Sequence, residues 1–396
     1  MANTQVKRLM LLLIVALGVA SVYKYIDYVN KAAAAEGWSA SGGAPASNNK
    51  YYNNNNNNEQ HLFTNSTGDN SPMRAAMVAL VRNSELDGMR ATIRQVEDRF
   101  NRRFGYPYVF INDEDFTEEF KEGIRAMTKA PVHFGKLPPE HWGLSEHVTE
   151  EAVQEALKRN KDRYIYGGSY SYRLMCRYQS GFVHKHPLLK DLDYYWRIEP
   201  GVSYFCDIPY DPFRYMRDNR LVYGFTISPM EKADTVETLW ETTRKWILQN
   251  PDLLPDKSFI RWAVTDNSKY TMCHFWSNFE IVDLSFYRSE AYESYFQHLD
   301  RAGGFFYERW GDAPVHSLAA AMLLRKDQLH WFEDIGYHHP GYAHCPNKPD
   351  MVSRCVCPRS SDYMYRSVCN RRFGRTEDVA KSRALELAGL PDKAAK

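Results

Sequence analysis

Polar and apolar positions fall into three regimes along the chain. From Leu9 to Tyr23 the run LMLLLIVALGVASVY carries no charge, residues 36–72 show little apolar pattern, and from about Arg74 periodicity sets in. The segment from Met73 to Phe104, MRAAMVALVRNSELDGMRATIRQVEDRFNRRF, reads as helix with a break near Asn83 or Gly88. YPYVFIND, residues 106–113, is aromatic and β-branched and predicts a strand ending on Asn112 and Asp113. DFTEEFKEGIRAMT predicts a helix and PVHFG a second strand, a β-α-β order that calls for a parallel or mixed sheet and an α/β fold. TEEAVQEALKRNKDR predicts a charged, exposed helix capped by Thr149. Tyr194 to Ile198 reads as an aromatic strand that stops between Arg197 and Glu199, ahead of Pro200 and Gly201. In α/β sheets such strand ends are where ligands sit. Tyr292, Tyr295, Phe296 and Leu299 lie at i, i+3, i+4 and i+7, an amphipathic helix that Gly303 or Gly304 ends. Another helix is predicted to begin at Pro314.

The first regime bears on location. Lys7 and Arg8 precede the apolar run, which Tyr25, Ile26, Tyr28 and Val29 extend while Lys24 snorkels. The favoured reading is a cytoplasmic tail at 1–8 and an uncleaved signal-anchor at 9–29, oriented by the two basic residues. The competing reading is a signal peptide cleaved near the alanines at 32–35. Both export the remainder. Residues 30–73 then form a lumenal stem, since their Ser, Gly and Asn content, including Asn53 to Asn58, is too polar to fold. Asn65-Ser66-Thr67 is a glycosylation sequon. The layout is that of a single-pass type II membrane protein with a lumenal domain at 74–396.

Composition narrows the classes. The 396 residues hold one large or two medium domains, and a hydrophobic content of 44% supplies a sizeable core. A net charge of +1 gives no electrostatic case for nucleic acid. The seven cysteines, all at or beyond Cys176, predict up to three disulfides and one free thiol in an oxidising compartment. Cys355-x-Cys357 lacks a partner pair for zinc, and the tail from Cys345 reads as a cystine-tied wrap. No G-x-G-x-x-G, Walker lysine motif or H-E-x-x-H occurs.

Four stretches carry candidate chemistry. Glu199, at a strand end, either ligates a divalent cation, with Arg197 turned to a phosphate, or pairs with Arg197 on the surface. Glu280 and Asp283 lie in the apolar run HFWSNFEIVDLSFYRS; Glu280 is either functional or alternates outward from a strand. Asp312, in FFYERWGDAPVHS, is a carboxylate of the site or a helix cap. His338 and His339 point to opposite sides, so one at most serves as a ligand.

Together the stretches SYRLMCRYQSGFVHKHPLL, YYWRIEPGVSYFCDIPYDPFRYM, WSNFEIVDLSFYRS, HLDRAGGFFYERWGDAPVHS and IGYHHPGYAHCP resemble the fungal Golgi α-1,2-mannosyltransferases of glycosyltransferase family 15, from about Arg74 to Phe373. That resemblance implies a GT-A-like fold with a mixed central sheet flanked by helices and preceded by a membrane anchor. It implies a retaining transfer of mannose from GDP-mannose to the 2-OH of a terminal mannose on O- or N-linked glycans, with Mn2+ as cofactor and Golgi residence. It places Glu199 and His339 on the metal and Tyr172, Arg177, Arg197 and Asp283 near the nucleotide. Glu280 falls at the nucleophile position and Asp312 on the acceptor side. The rival expectation is a catalytically silent lumenal sugar-binding or scaffold protein that kept the fold.

Overall fold

The computed structural model describes residues 73–358, 360 and 362–389. The expected tail, anchor, stem and sequon lie outside the described residues. Among the described residues no helix is long and apolar enough to cross a membrane.

The first periodic segment is not one helix. Ala75–Leu80 is strand β1, and helix begins only beyond Asn83: Leu86–Val96, α1, runs on through a π turn at Glu97–Asn101 into Arg102–Phe104. AAMVAL has helix-forming residues, but five of its six positions are wholly buried between two parallel neighbours, and that burial outweighs propensity. The other early expectations hold. Tyr108–Asn112 is β2, Glu118–Arg125 is α2 and Val132–Lys136 is β3. Glu150–Asn160 is α3, capped by Thr149, whose hydroxyl accepts from the Ala152 N–H. Tyr170–Gly181 is α4, Tyr194–Arg197 is β4 and Ser203–Tyr204 is β5.

Next come β6 (Tyr223–Phe225), β7 (Lys257–Ser258) and β8 (Glu280–Asp283). The helix Glu290–Ala302, α5, buries Tyr292, Tyr295, Phe296 and Leu299 and ends at Gly303 in a left-handed conformation, φ 72°. Helix α6 spans Asp312–Leu323 and so starts two residues before Pro314. The described residues continue through β9 (Leu329–Trp331), β10 (Tyr337–His339), β11 (Tyr342–His344), a short helix at Val368–Arg375, β12 (Val379–Ala380) and a last helix at Lys381–Gly389.

The main sheet has the order β3-β2-β1-β4-β8-β6-β9. Every adjacent pair is parallel except those made by β8, which runs antiparallel to β4 and β6. The reversal has a consequence for chemistry. The carboxyl ends of β1, β2 and β4 share one edge, and β8 begins at that edge, with Glu280 in register with Arg197 and Phe225.

A second sheet, β11-β10-β5, sits at the same edge. The strand β5 follows the Glu199-Pro200-Gly201 turn after one residue, and Tyr204 and Ser203 pair with Tyr337 and His338. Two distant segments are thereby brought together. The turn needs Gly201, whose φ of 75° is left-handed. Helix α1 fastens it: Gly201 N–H donates to the Gly88 carbonyl at 3.0 Å, and the Thr92 hydroxyl donates to the Glu199 carbonyl at 2.8 Å.

Cys206–Cys355, Cys273–Cys369 and Cys345–Cys357 are disulfides, and Cys176 is a buried free thiol. The tail is thus tied down as expected, and the oxidised pairs suit an exported protein. Cys206–Cys355 closes a separation of 149 residues and clamps the chain just after β5. Replacing both cysteines with serine is expected to cost roughly 2–5 kcal/mol of unfolding free energy. Urea titration under non-reducing conditions reads it; an unchanged midpoint would show that the bridge holds nothing.

Candidate active site

The end of β4 builds the site. Arg197, with a side chain 7% exposed, donates from Nη1 to Asp312 Oδ2 at 2.5 Å and from Nη2 to Glu199 Oε1. Asp312 Oδ2 also accepts from the Ser277 hydroxyl at 2.6 Å. Asp312 is therefore no cap; as the first residue of α6 it turns its charge to Arg197, and the helix N-terminus favours that charge. The other oxygen of Glu199, Oε2, lies 3.3 Å from His339 Nε2. Strand alternation sends His338 to the other side, beside Phe205.

The Glu199–His339 pair fits a divalent cation. Cis ligands of an octahedral ion with bonds of about 2.1 Å stand about 3 Å apart. His339 Nδ1 faces the Pro340 carbonyl at 3.3 Å, and a proton there leaves the Nε2 lone pair to a cation. Among the described residues no group of three or more His, Cys, Asp or Glu gathers, so further coordination positions would fall to ligand oxygens or water.

Both carboxylates are held charged. Burial pushes the Glu199 carboxyl up, but Arg197 and His339 outweigh it and leave it below its ordinary 4.5. Burial likewise raises Asp312, and Arg197, His316 and Ser277 bring it below 3.8.

Around this centre a cleft of about 370 Å3 opens along the carboxyl edge of the sheet. Val81 and Arg82 after β1, Asn112 and Asp113 at β2, and Glu199 after β4 form one side. Tyr172, Met175 and Gln179, one face of α4, form another. Tyr166 stacks on Tyr172 with ring centroids 4.5 Å apart, and Arg309 donates to the Tyr172 hydroxyl at 3.1 Å. Of the expected residues, Tyr172, Arg197, Glu199 and His339 line the cleft, and Asp312 braces Arg197 from behind.

Three expectations need correction. Arg177 lies five residues beyond Tyr172, on another face of α4, where it grips Asp300 bidentately at 2.7 and 2.8 Å and donates to the Gly143 carbonyl. Asp283 stands at the far end of β8, where it caps a short helix by accepting from the Ser285 N–H at 2.9 Å. Glu280 reaches the right edge but does not line the cleft. It is 0% exposed, accepts hydrogen bonds from the hydroxyls of Tyr195 and Tyr223, and contacts His316 Nδ1 at 3.0 Å. It does not alternate outward, and both of its oxygens are engaged by these neighbours. Burial lowers the His316 pKa, Glu280 raises it more, and the net value lies above 6.5. Its Nε2–H then donates to the Gln179 carbonyl at 3.1 Å.

Sequence reasoning missed Arg82, Glu85, Tyr166 and Gln179 as cleft residues. Arg82 and Glu85 had a signal, the carboxyl end of a strand, lost when β1 was read as helix. Gln179 had one too: it follows Tyr172 by seven positions on the same helix face.

The glycolipid 2-alpha-mannosyltransferase family profile matches residues 39–378. A Saccharomyces cerevisiae protein named glycolipid 2-alpha-mannosyltransferase is 46% identical over 325 residues, 81% of this chain and 73% of its own length. A Candida albicans protein, glycolipid 2-alpha-mannosyltransferase 2, is 47% identical over 319 residues, 79% of this chain and 69% of its own. Among solved structures, core-mannan synthase A from Aspergillus fumigatus in its Mn/GDP form superposes with a TM-score of 0.71 at 41% identity. It covers 83% of this chain and 88% of that one.

Two predictions follow from the charges. Glu280→Gln removes the carboxylate that the buried His316, Tyr195 and Tyr223 share and is expected to lower unfolding free energy by roughly 3 kcal/mol or more. An exposed nucleophile would lose turnover with stability intact, so an unchanged urea midpoint would contradict the enclosed role. Glu199 and Asp312, lowered in the fold, contribute stability above their unfolded values and lose it as pH falls through their folded ones. His316, raised, contributes below its unfolded value and loses it as pH rises through its folded one. Unfolding measured from about pH 3 to about pH 9 should weaken on the acid limb, and Asp312→Asn should flatten that limb. A variant curve parallel to wild type below about pH 4 would refute it.

Proposed function

The chain belongs to the glycolipid 2-alpha-mannosyltransferase family, and from that premise we propose that it moves mannose from GDP-mannose to the 2-OH of a terminal mannose, with Mn2+ as cofactor. The observation that carries the reading is the Glu199–His339 pair beside Arg197 at the end of β4, in a fold shared with a Mn/GDP-form relative. The mixed α/β sheet with its ligand cleft at the strand ends suits the GT-A class.

Glu199 and His339 would hold the cation. When bound, Mn2+ neutralises charge that develops on the departing diphosphate. Arg197 adds a fixed positive charge, kept in place by Glu199 on one edge and Asp312 on the other. Val81, Arg82, Asn112 and Asp113 receive the nucleoside at the ends of β1 and β2. Tyr172, steadied by Arg309, turns its ring to the cleft.

Donor and product are both α-linked, so configuration is retained. The enclosure of Glu280 favours front-face transfer over a covalent sugar–enzyme bond. The acceptor oxygen joins C1 on the face from which the phosphate oxygen leaves, and its proton passes to that phosphate. Glu280 then acts at one remove: with His316 it fixes the strand neighbour of Arg197.

The acceptor class is a mannose-terminated glycan on an exported glycoprotein, O- or N-linked. Single-pass anchoring in the Golgi membrane, with residues 74–396 lumenal, accords with the apolar run at 9–29 and the three disulfides.

Purified protein should melt at a higher temperature with GDP and Mn2+ together than with either alone, and should release GDP from GDP-mannose when a mannose acceptor is added. GDP binding without transfer would favour a silent sugar-binding protein. Glu199→Ala and His339→Ala are each expected to abolish the Mn2+-dependent part of GDP binding. If either variant keeps it, that residue is no ligand.

A further inference from the structure

Gln179 stands out among the side chains that line the cleft. It is 4% exposed, and its Oε1 is fully buried without a hydrogen-bond partner among the described residues. No other cleft-lining side chain carries such an atom. A buried amide without a partner is destabilising, and in the wall of a cleft a ligand or an ordered water can complete it. An amide offers one acceptor and two donors, a set suited to vicinal hydroxyls.

The backbone of Gln179 ties it to the reacting end of the cleft. Its carbonyl accepts from His316 Nε2 at 3.1 Å, and His316 Nδ1 contacts Glu280 at 3.0 Å. Glu280 is the register partner of Arg197, and Asp312 lies one turn before His316 on α6. The amide therefore belongs with the charged centre, not with the base-receiving ends of β1 and β2. Met175 and Tyr172 continue the same helix face and wall the ligand from the side.

We propose that Gln179 is a specificity-determining residue that reads a hydroxyl group of a hexose in the cleft through its side-chain amide. This rests on the transferase reading above. The hexose is either the transferred sugar or the acceptor sugar, and the two are separated by experiment. Without a ligand the amide is a fault in the fold; with a ligand it becomes a contact.

The test uses Gln179→Met, which keeps the volume and removes the amide, and Gln179→Leu as a second apolar variant. Both should melt at or above the wild-type temperature, since an unpaired polar group has been removed. Mn2+-dependent GDP affinity should stay within about twofold, and kcat/KM for transfer should fall roughly 10- to 100-fold. If GDP-mannose hydrolysis without acceptor falls equally, the amide reads the transferred sugar. If hydrolysis holds and KM for methyl mannoside rises, it reads the acceptor. A lowered melting temperature in both variants assigns Gln179 a structural role and overturns the proposal, as does a parallel loss of GDP affinity or unchanged transfer. Wild-type protein in the same assay separates the two levels: its failure to transfer mannose would sink the functional reading itself.

Discussion

The Arg197 guanidinium, held between Glu199 and Asp312, is the interaction on which the rest of the site depends. A charge buried to this degree is tolerable only with opposite charges in hydrogen-bonding contact. Asp312 and Glu199 come from segments 113 residues apart, one at the start of α6 and one at the end of β4, and Arg197 joins them. The helix start is therefore pinned to the central sheet. Glu199, with one oxygen committed to Arg197, has the other left to face His339. Loss of the guanidinium would leave two carboxylates with no cation between them.

Behind this charged layer lies a second one, sealed from solvent. Glu280, His316, Tyr195 and Tyr223 satisfy one another in the core, and His316 passes a hydrogen bond to the backbone of α4. The two layers meet through strand register, Arg197 opposite Glu280. This division explains how a carboxylate at a catalytic-looking position serves the site without touching the cleft. It also shows what α4 does. The helix offers the cleft one face only, and its carbonyl at Gln179 is anchored from the side away from solvent.

Local sequence made much of this legible. The stop at Glu199-Pro200-Gly201 marked the ligand-bearing strand end, because proline and a left-handed glycine cannot continue a strand. The alternation of His338 and His339 allowed one ligand, and the structure turns His339 to Glu199. Seven cysteines gave three bridges and one thiol. Where local reading failed, the missing information was spatial. AAMVAL looks helical until β2 and β4 flank it. Arg177, set near the nucleotide by the family resemblance, is turned by helix periodicity to Asp300. Asp283 shares a short strand with Glu280, yet lies at its opposite end. Glu280 was rightly singled out as a carboxylate that an apolar run must compensate, but its partners Tyr195, Tyr223 and His316 come from three other segments.

The sequence by itself determined most of the periodic elements, their caps and turns, and the motif set that marks the family. Those are properties of neighbouring residues, fixed by backbone sterics and by the spacing of apolar side chains. Only the tertiary structure decided which charges meet. Sheet order set β8 antiparallel beside β4, pairing of β5 with β10 carried His339 to Glu199 across about 140 residues, and α6 brought Asp312 to Arg197. Contacts of that range depend on how layers pack around one core, and no local pattern encodes them.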